Sequence, residues 1–367
     1  MEKNRQIFDF VLKVFLFLSS LFLFKDYLPS FARSLFFICG TFVLYGVSLS
    51  CEPRRKFSNI WVSLFFLLAF IPIFFNTGEF EFFDFWGSMY GFLYILCGII
   101  LFKTVYCHSG DVVKYIKPIL AVCVLNLILV SCQMFGYDFL WRSTSPFNPI
   151  CGFFESPSQL GQYSAMSIPI LFCLSPILAI IPLLTLILSK SVTPMVALFI
   201  GSLFYAFYSG KKKIILLIVP VIVIASIFCH SYIAMKWYTR PIMWKQTLHA
   251  ALQKPFIGHG YQSFNHVVIG NVDRAGGIVN ATAFNDYFQT ALELGFPILI
   301  VVGMFLIGMF KKFKNKDILT VCLATSIVIV LVNMFGQSLI RHASISGTFI
   351  VLLALFYARI EDKLQKE

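Results

Sequence analysis

The sequence predicts an all-α polytopic membrane protein with about twelve transmembrane helices. Three observations carry that prediction. Of the 367 residues, 59% are hydrophobic and 13% charged, with a mean hydropathy of +0.84, whereas soluble chains carry roughly a quarter charged residues. Apolar runs of roughly 15 to 22 residues recur from end to end, matching the ~20 residues a helix needs to cross hydrocarbon. The runs do not alternate apolar with polar positions, which excludes a closed β-barrel.

Taken in order, the runs predict helices over 7–24, 31–50, 58–75, 86–102, 118–135, 161–174, 176–188, 194–208, 214–229, 286–310, 318–334 and 342–358. The first follows a basic start without a small-residue cleavage site, so it is expected to be retained rather than removed as a signal peptide. Charges then assign sides. Lys3 and Arg5, Arg54 to Lys56, Lys103, Lys114 and Lys117, Lys211 to Lys213, and Lys311 to Lys316 fall on one face, and the acidic loop at Glu79, Glu81 and Asp84 falls on the other. The stretch from Gly161 to Leu188, interrupted by Pro169, Pro176 and Pro182, could be one span or two. One span would put the last two lysine clusters on the wrong face, so two short helices are expected. Both termini are then cytoplasmic. The chain reads as one membrane domain over 1–367, with a large, partly helical periplasmic loop over 232–284 before the tenth span. Its net charge of +12 lies mostly in short connections, as a topology signal and not as a nucleic-acid patch. The ten cysteines lie mostly in apolar runs without a CxxC pair, which argues for neither a disulfide framework nor a metal site.

Polar chemistry concentrates in the outward loop. It holds Lys236, Arg240, Lys245, Lys254 and Arg274 against one acid, Asp273, with His249, His259 and His266 among them. A basic loop on a membrane protein suggests an anionic ligand such as a phosphate. Arg240 and Trp244 share a face if Pro241 to Gln253 is helical. Gly258-His259-Gly260 predicts a turn where backbone can approach a ligand closely. Glu293 is expected inside the membrane helix that opens at Asn285 and Asp286, and is functional or paired by default. Two further outward clusters are the loop around Arg142, continuing from Gly152 to Gly161, and the lone cation Lys190 between Ser189 and Ser191.

Arg240-x3-Trp244, Pro255-x2-Gly258-x-Gly260 and Asn285-Asp-Tyr-x-Gln289-x3-Glu293-x-Gly295 stand in this order, preceded by Gly152, Pro157, Leu160, Gly161 and Ser189-Lys190. Over roughly 136–300 this series resembles the O-antigen ligase and O-antigen polymerase superfamily. The resemblance implies a multi-pass glycosyltransferase of the bacterial inner membrane. Such an enzyme moves glycan from an undecaprenyl-diphosphate carrier to a sugar hydroxyl on an acceptor glycan or lipid-linked sugar, in polysaccharide or lipopolysaccharide assembly, without a metal or other cofactor. By family position Arg240 and Lys190 would hold the diphosphate, Lys190 standing where relatives usually have arginine. Arg142, Trp244, Gly258, Gly260, Asn285 and Glu293 would line the substrate site. Relatives commonly carry a histidine, thought to act as base, immediately before the asparagine; here that position is Phe284, which cannot accept a proton. Asp286, His266 and His259 are the alternative bases, and the sequence does not choose between them. Two other readings stay open: a membrane transporter, given the proline-broken spans, and a catalytically inactive scaffold, given Phe284.

Overall fold

The computed structural model describes residues 2–21, 29–73, 82–137, 150–210, 230–264, 267–268, 282–313 and 317–365. They form thirteen α-helices: α1 Glu2–Leu21, α2 Pro29–Leu49, α3 Ile60–Phe70, α4 Phe82–His108, α5 Val113–Met134, α6 Pro157–Leu174, α7 Pro176–Leu188, α8 Val192–Ser209, α9 His230–Gln253, α10 Asp286–Leu294, α11 Phe296–Lys311, α12 Ile318–Asn333 and α13 Ala343–Leu364. Among the described residues, four segments are long and apolar enough to cross a membrane: 91–108 in α4, then α5, α8 and α13. Shorter apolar helices accompany them, including α3, α7, α11 and α12. The expected span 214–229 and the Lys211 cluster lie outside the described residues, as do Glu79 and Glu81.

Local chemistry sets the boundaries. Asn59, Ser156, Ser175, Asn285 and Asp317 each accept a hydrogen bond from a backbone N–H of the helix that follows, satisfying donors that a helix start leaves orphaned. Ser175, in extended conformation ahead of Pro176, divides 157–188 into two helices. These fold back on each other, with the hydroxyls of Ser164 and Thr185 2.8 Å apart. α13 is the central helix, buried along most of its length, and packs against α1, α2, α4 and α12.

Ion pairs gather one end of the bundle. Arg55 Nε donates to Asp362 (2.6 Å), Lys312 to Glu361 (2.8 Å), and Arg359 to Asp317 (3.0 Å), which Lys363 also contacts. Asn4 donates to the Ser50 carbonyl (3.0 Å), and Lys114 lies 3.5 Å from Asp9. The start of α1, the end of α13, the connections near residues 50–57 and 109–112, and residues 312, 313 and 317 therefore share this basic end.

The expected single span 286–310 is corrected to two helices. The chain breaks at Gly295, whose φ of +84° lies in the left-handed region open to glycine, and restarts with Pro297 in the first turn of α11. Another segment occupies the break. Phe296 N–H donates to the Pro255 carbonyl (2.8 Å), while His259 and Gly260 N–H donate to Leu292 and Glu293 (2.8 and 2.9 Å). A Cβ on Gly258, at φ +76°, would lie 2.4 Å from the Glu293 carbonyl. Glu293 consequently sits in α10, before the membrane-entering helix and not within it. α9 is also longer than expected, beginning at His230 and running through Pro241.

Gly258→Ala is expected to lower stability by on the order of 2 kcal/mol, from positive-φ strain added to a backbone clash. Thermal unfolding of the detergent-solubilised protein checks this, and an unchanged melting temperature would contradict the packing.

Candidate functional site

At the end of the bundle opposite the paired lysines and arginines, five stretches meet: the entry to α6, the turn before α8, α9, the segment 282–294, and the connection 334–342 between α12 and α13. The last is the hub. Asp286 is buried, and its Oδ2 accepts hydrogen bonds from the Leu339 and Ile340 N–H groups (2.6 and 3.1 Å) while its own N–H donates to the Met334 carbonyl (2.9 Å). Burial pushes the Asp286 carboxyl up to about 6, against the pull of those two donors. Arg341 forms an ion pair with buried Glu293, whose other oxygen accepts from Gln289 (3.2 Å). Gln337 donates to Ser158 (3.1 Å), which lies 3.4 Å from the Ser191 hydroxyl. A Cβ on Gly336 would lie 2.6 Å from Thr193.

Arg240 reaches this same surface from α9, with Nη1 donating to the Thr193 hydroxyl (3.3 Å) and the guanidinium 5.4 Å from the centre of the Phe284 ring. It has no carboxylate partner among the described residues, and burial pulls its pKa below the ordinary value. Removing a charge from water costs several kcal/mol, whereas a cation–π contact returns about 1–2 kcal/mol and a hydroxyl bond about 1 kcal/mol. The cation is therefore undercompensated, a state that an anion would relieve. Lys190, three residues before Thr193, is exposed at φ +51°. No hydrogen bond or ion pair involves its ammonium among the described residues. Arg240 thus contacts the first turn of α8, just after the residue Lys190.

Phe284 holds φ +50°, an uncommon conformation for a bulky side chain. Its neighbours impose it. Ala283 N–H donates to Gln289 (3.2 Å), and the Ala283 carbonyl accepts from Trp244 Nε1 (3.0 Å). On the other side Asn285 caps α10, its Oδ1 accepting from Tyr287 and Phe288 N–H (both 3.0 Å). Trp244 also meets Phe288 edge-on at 6.2 Å.

Several expected site residues therefore have structural partners. Trp244 and Asn285 fix the backbone around Phe284. Gly258 and Gly260 approach the chain's own backbone at Leu292 to Leu294. Half-buried His259 donates through Nε2 to the Ala250 carbonyl (2.8 Å), and burial lowers its pKa. Arg142 and His266 lie outside the described residues.

The structure adds residues that sequence reasoning missed. Gln159, on the first turn of α6, lies 3.0 Å from His342 Nδ1 and 3.4 Å from Glu155. Glu155 pairs with buried Arg33 (3.5 Å), which also donates to the Phe153 carbonyl (2.5 Å). Burial pulls the His342 imidazole below its ordinary value, with Glu155 opposing and Arg33 and Arg341 adding to the shift. The available signal was Arg341-His342, an adjacent cationic and titratable pair in a short outward connection where the topology rule gives no reason for basic residues.

Asp286→Ala should strand two buried N–H donors and cost on the order of 2–4 kcal/mol. Asp286→Asn keeps an acceptor and should cost less than half as much. Equal losses in denaturant titrations would show that the carboxylate does not hold the hub through these bonds.

No curated protein matches the chain. Residues 177–303 match the family described as O-antigen ligase, a segment that contains Lys190, Thr193, Arg240, Phe284 and Glu293. That segment, about a third of the chain, is similar to the O-antigen ligase family.

Proposed function

We propose that the protein is a glycosyltransferase of the ligase or polymerase type. In this reading it takes glycan from an undecaprenyl-diphosphate donor at the outer face of the bacterial inner membrane, with both termini in the cytoplasm and the 232–284 loop in the periplasm. The observation that carries the reading is the half-buried, undercompensated cation Arg240 beside Thr193, three residues after Lys190. A diphosphate leaving group needs positive charge from more than one direction, in a setting dry enough for that charge to act strongly. Guanidinium offers the bidentate geometry and lysine a point charge.

The reaction joins the acceptor oxygen to the anomeric carbon of the donor while the bond from that carbon to the phosphate oxygen breaks. The electron pair leaves on the diphosphate beside Arg240 and Lys190. Oδ2 of Asp286 and Nε2 of His259 are taken up by backbone groups. We infer that the proton of the acceptor hydroxyl goes to the departing diphosphate, whose oxygens are basic enough to take it late in the displacement; the competing side-chain base is His266, which lies outside the described residues. A scaffold reading draws on one observation, the Phe284 ring beneath Arg240 where a base would stand.

In a purified system with lipid-linked oligosaccharide, Arg240→Ala is expected to abolish product at unchanged protein level. Arg240→Lys should keep part of the turnover, while Asp286→Asn and His259→Gln keep most of it. Loss with either of the last two would restore a side-chain base. Turnover that appears only after Phe284→His would establish the scaffold reading.

A cysteine replacing exposed Gln253 in a cysteine-free background should react with an impermeant maleimide in spheroplasts. Labelling only after lysis would reverse the topology and remove the periplasmic site.

A further inference from the structure

At the basic end of the bundle, remote from Arg240, two cavities adjoin. The first, of about 300 Å³, is half polar, with Lys56, Asn59, Lys312 and Glu361 lining it beside Phe57 and Met309. The second, of about 220 Å³, is an open groove between α3, α4, α11 and α13, lined by side chains such as Phe65, Ile99, Val302 and Leu353. Trp61 and Phe305 line both, so the mouth and the apolar groove adjoin at these two side chains. The hydroxyls of Tyr94 and Ser346 in the groove are bonded to each other, which leaves its wall effectively hydrocarbon.

The mouth is cationic. Glu361 is matched by Lys312 (2.8 Å) and by the Tyr106 hydroxyl (3.0 Å). Lys56 is exposed, and its ammonium has no partner among the described residues. At the junction, the half-buried Trp61 indole N–H also makes no hydrogen bond among the described residues. Buried indole donors usually find an acceptor, and tryptophan favours the level where headgroup meets hydrocarbon. Read from mouth to depth, the order is cation, unpaired donor, alkyl-lined groove. That is the order of phosphate, ester carbonyl and acyl chain.

We propose that this mouth and groove hold one anionic phospholipid, its phosphate on Lys56 and Lys312, an ester carbonyl on the Trp61 indole and one acyl chain along the groove. The deep end of the groove is formed by Met334 and Ile340, the same residues whose backbone Asp286 fixes. The chain terminus would pack beneath the hub of the candidate site. The proposal does not depend on which reaction that site performs.

Native mass spectrometry of the full chain, released from nanodiscs of equal phosphatidylglycerol and phosphatidylethanolamine, tests it. One retained phosphatidylglycerol is expected. Lys56→Gln should reduce the preference over phosphatidylethanolamine about fivefold, the effect of one lysine at an anionic surface. Val302→Phe, which fills the groove, should remove the adduct of both lipids. Should that variant fail to fold, the wild-type protein supplies the same test, since long-chain phosphatidylglycerol should raise the melting temperature and the six-carbon-chain analogue should not. Equal retention of the two lipids, or a preference untouched by Lys56→Gln, or equal stabilisation by the short-chain analogue, would each overturn the assignment.

Discussion

Backbone that turns between two apolar helices cannot leave its N–H groups unpaired in a low-dielectric interior. Between α12 and α13 one carboxylate meets that requirement. Asp286 accepts from Leu339 and Ile340, and its own amide reaches back to Met334. Because the connection is fixed at both of its ends, its side chains can face outward in a defined order. Gln337 meets α6, Gly336 meets Thr193 on α8, Arg341 meets Glu293 on α10, and His342 meets Gln159. Three helices that are distant in sequence, α6, α8 and α10, are thereby set relative to one another, and Arg240 has a surface to rest on.

The electrostatics of that surface are uneven by construction. Arg33, Arg341, Arg55 and Arg359 each have a carboxylate close by. Arg240 is as dehydrated as several of these, yet it meets a ring face and a hydroxyl. A structural role would be served better by a paired ion or by an apolar side chain of similar volume. A cation left short of negative charge fits a ligand that brings its own. The strained backbone at Phe284, held from both sides by Ala283 and Asn285, lies directly under that cation. Conformations of this kind persist where surrounding contacts over-determine them, and they concentrate at functional sites.

Hydropathy and charge made the helical membrane architecture legible, and the division into α6 and α7, raised by Pro169, Pro176 and Pro182, was legible from the charge of the later loops. The break at Gly295 was visible as Gly295 and Pro297, but the apolar pattern continues on both sides, so length alone favoured one span. Gly258 and Gly260 signalled close approach without saying to what; the partner proved to be the chain itself. Asn285 could be read as a helix cap from its own neighbourhood. The Asp286 clamp could not, because its partners lie 53 and 54 positions away and nothing local encodes them. The undercompensation of Arg240 was equally hidden, since a missing counter-charge is a property of the folded surroundings and not of any motif.

The bond from Phe296 to Pro255 has a mechanical consequence. α11 has 16 residues and spans about 24 Å at 1.5 Å per residue, less than the roughly 30 Å hydrocarbon core. A helix this short answers a change in bilayer thickness through its tilt and through local thinning of the lipid around it. Its first residue is tied to the segment that ends α9, and α9 carries Arg240 one continuous helix away. A change in that tilt would therefore act first on the Phe296–Pro255 bond, and so on the chain that follows the helix carrying Arg240.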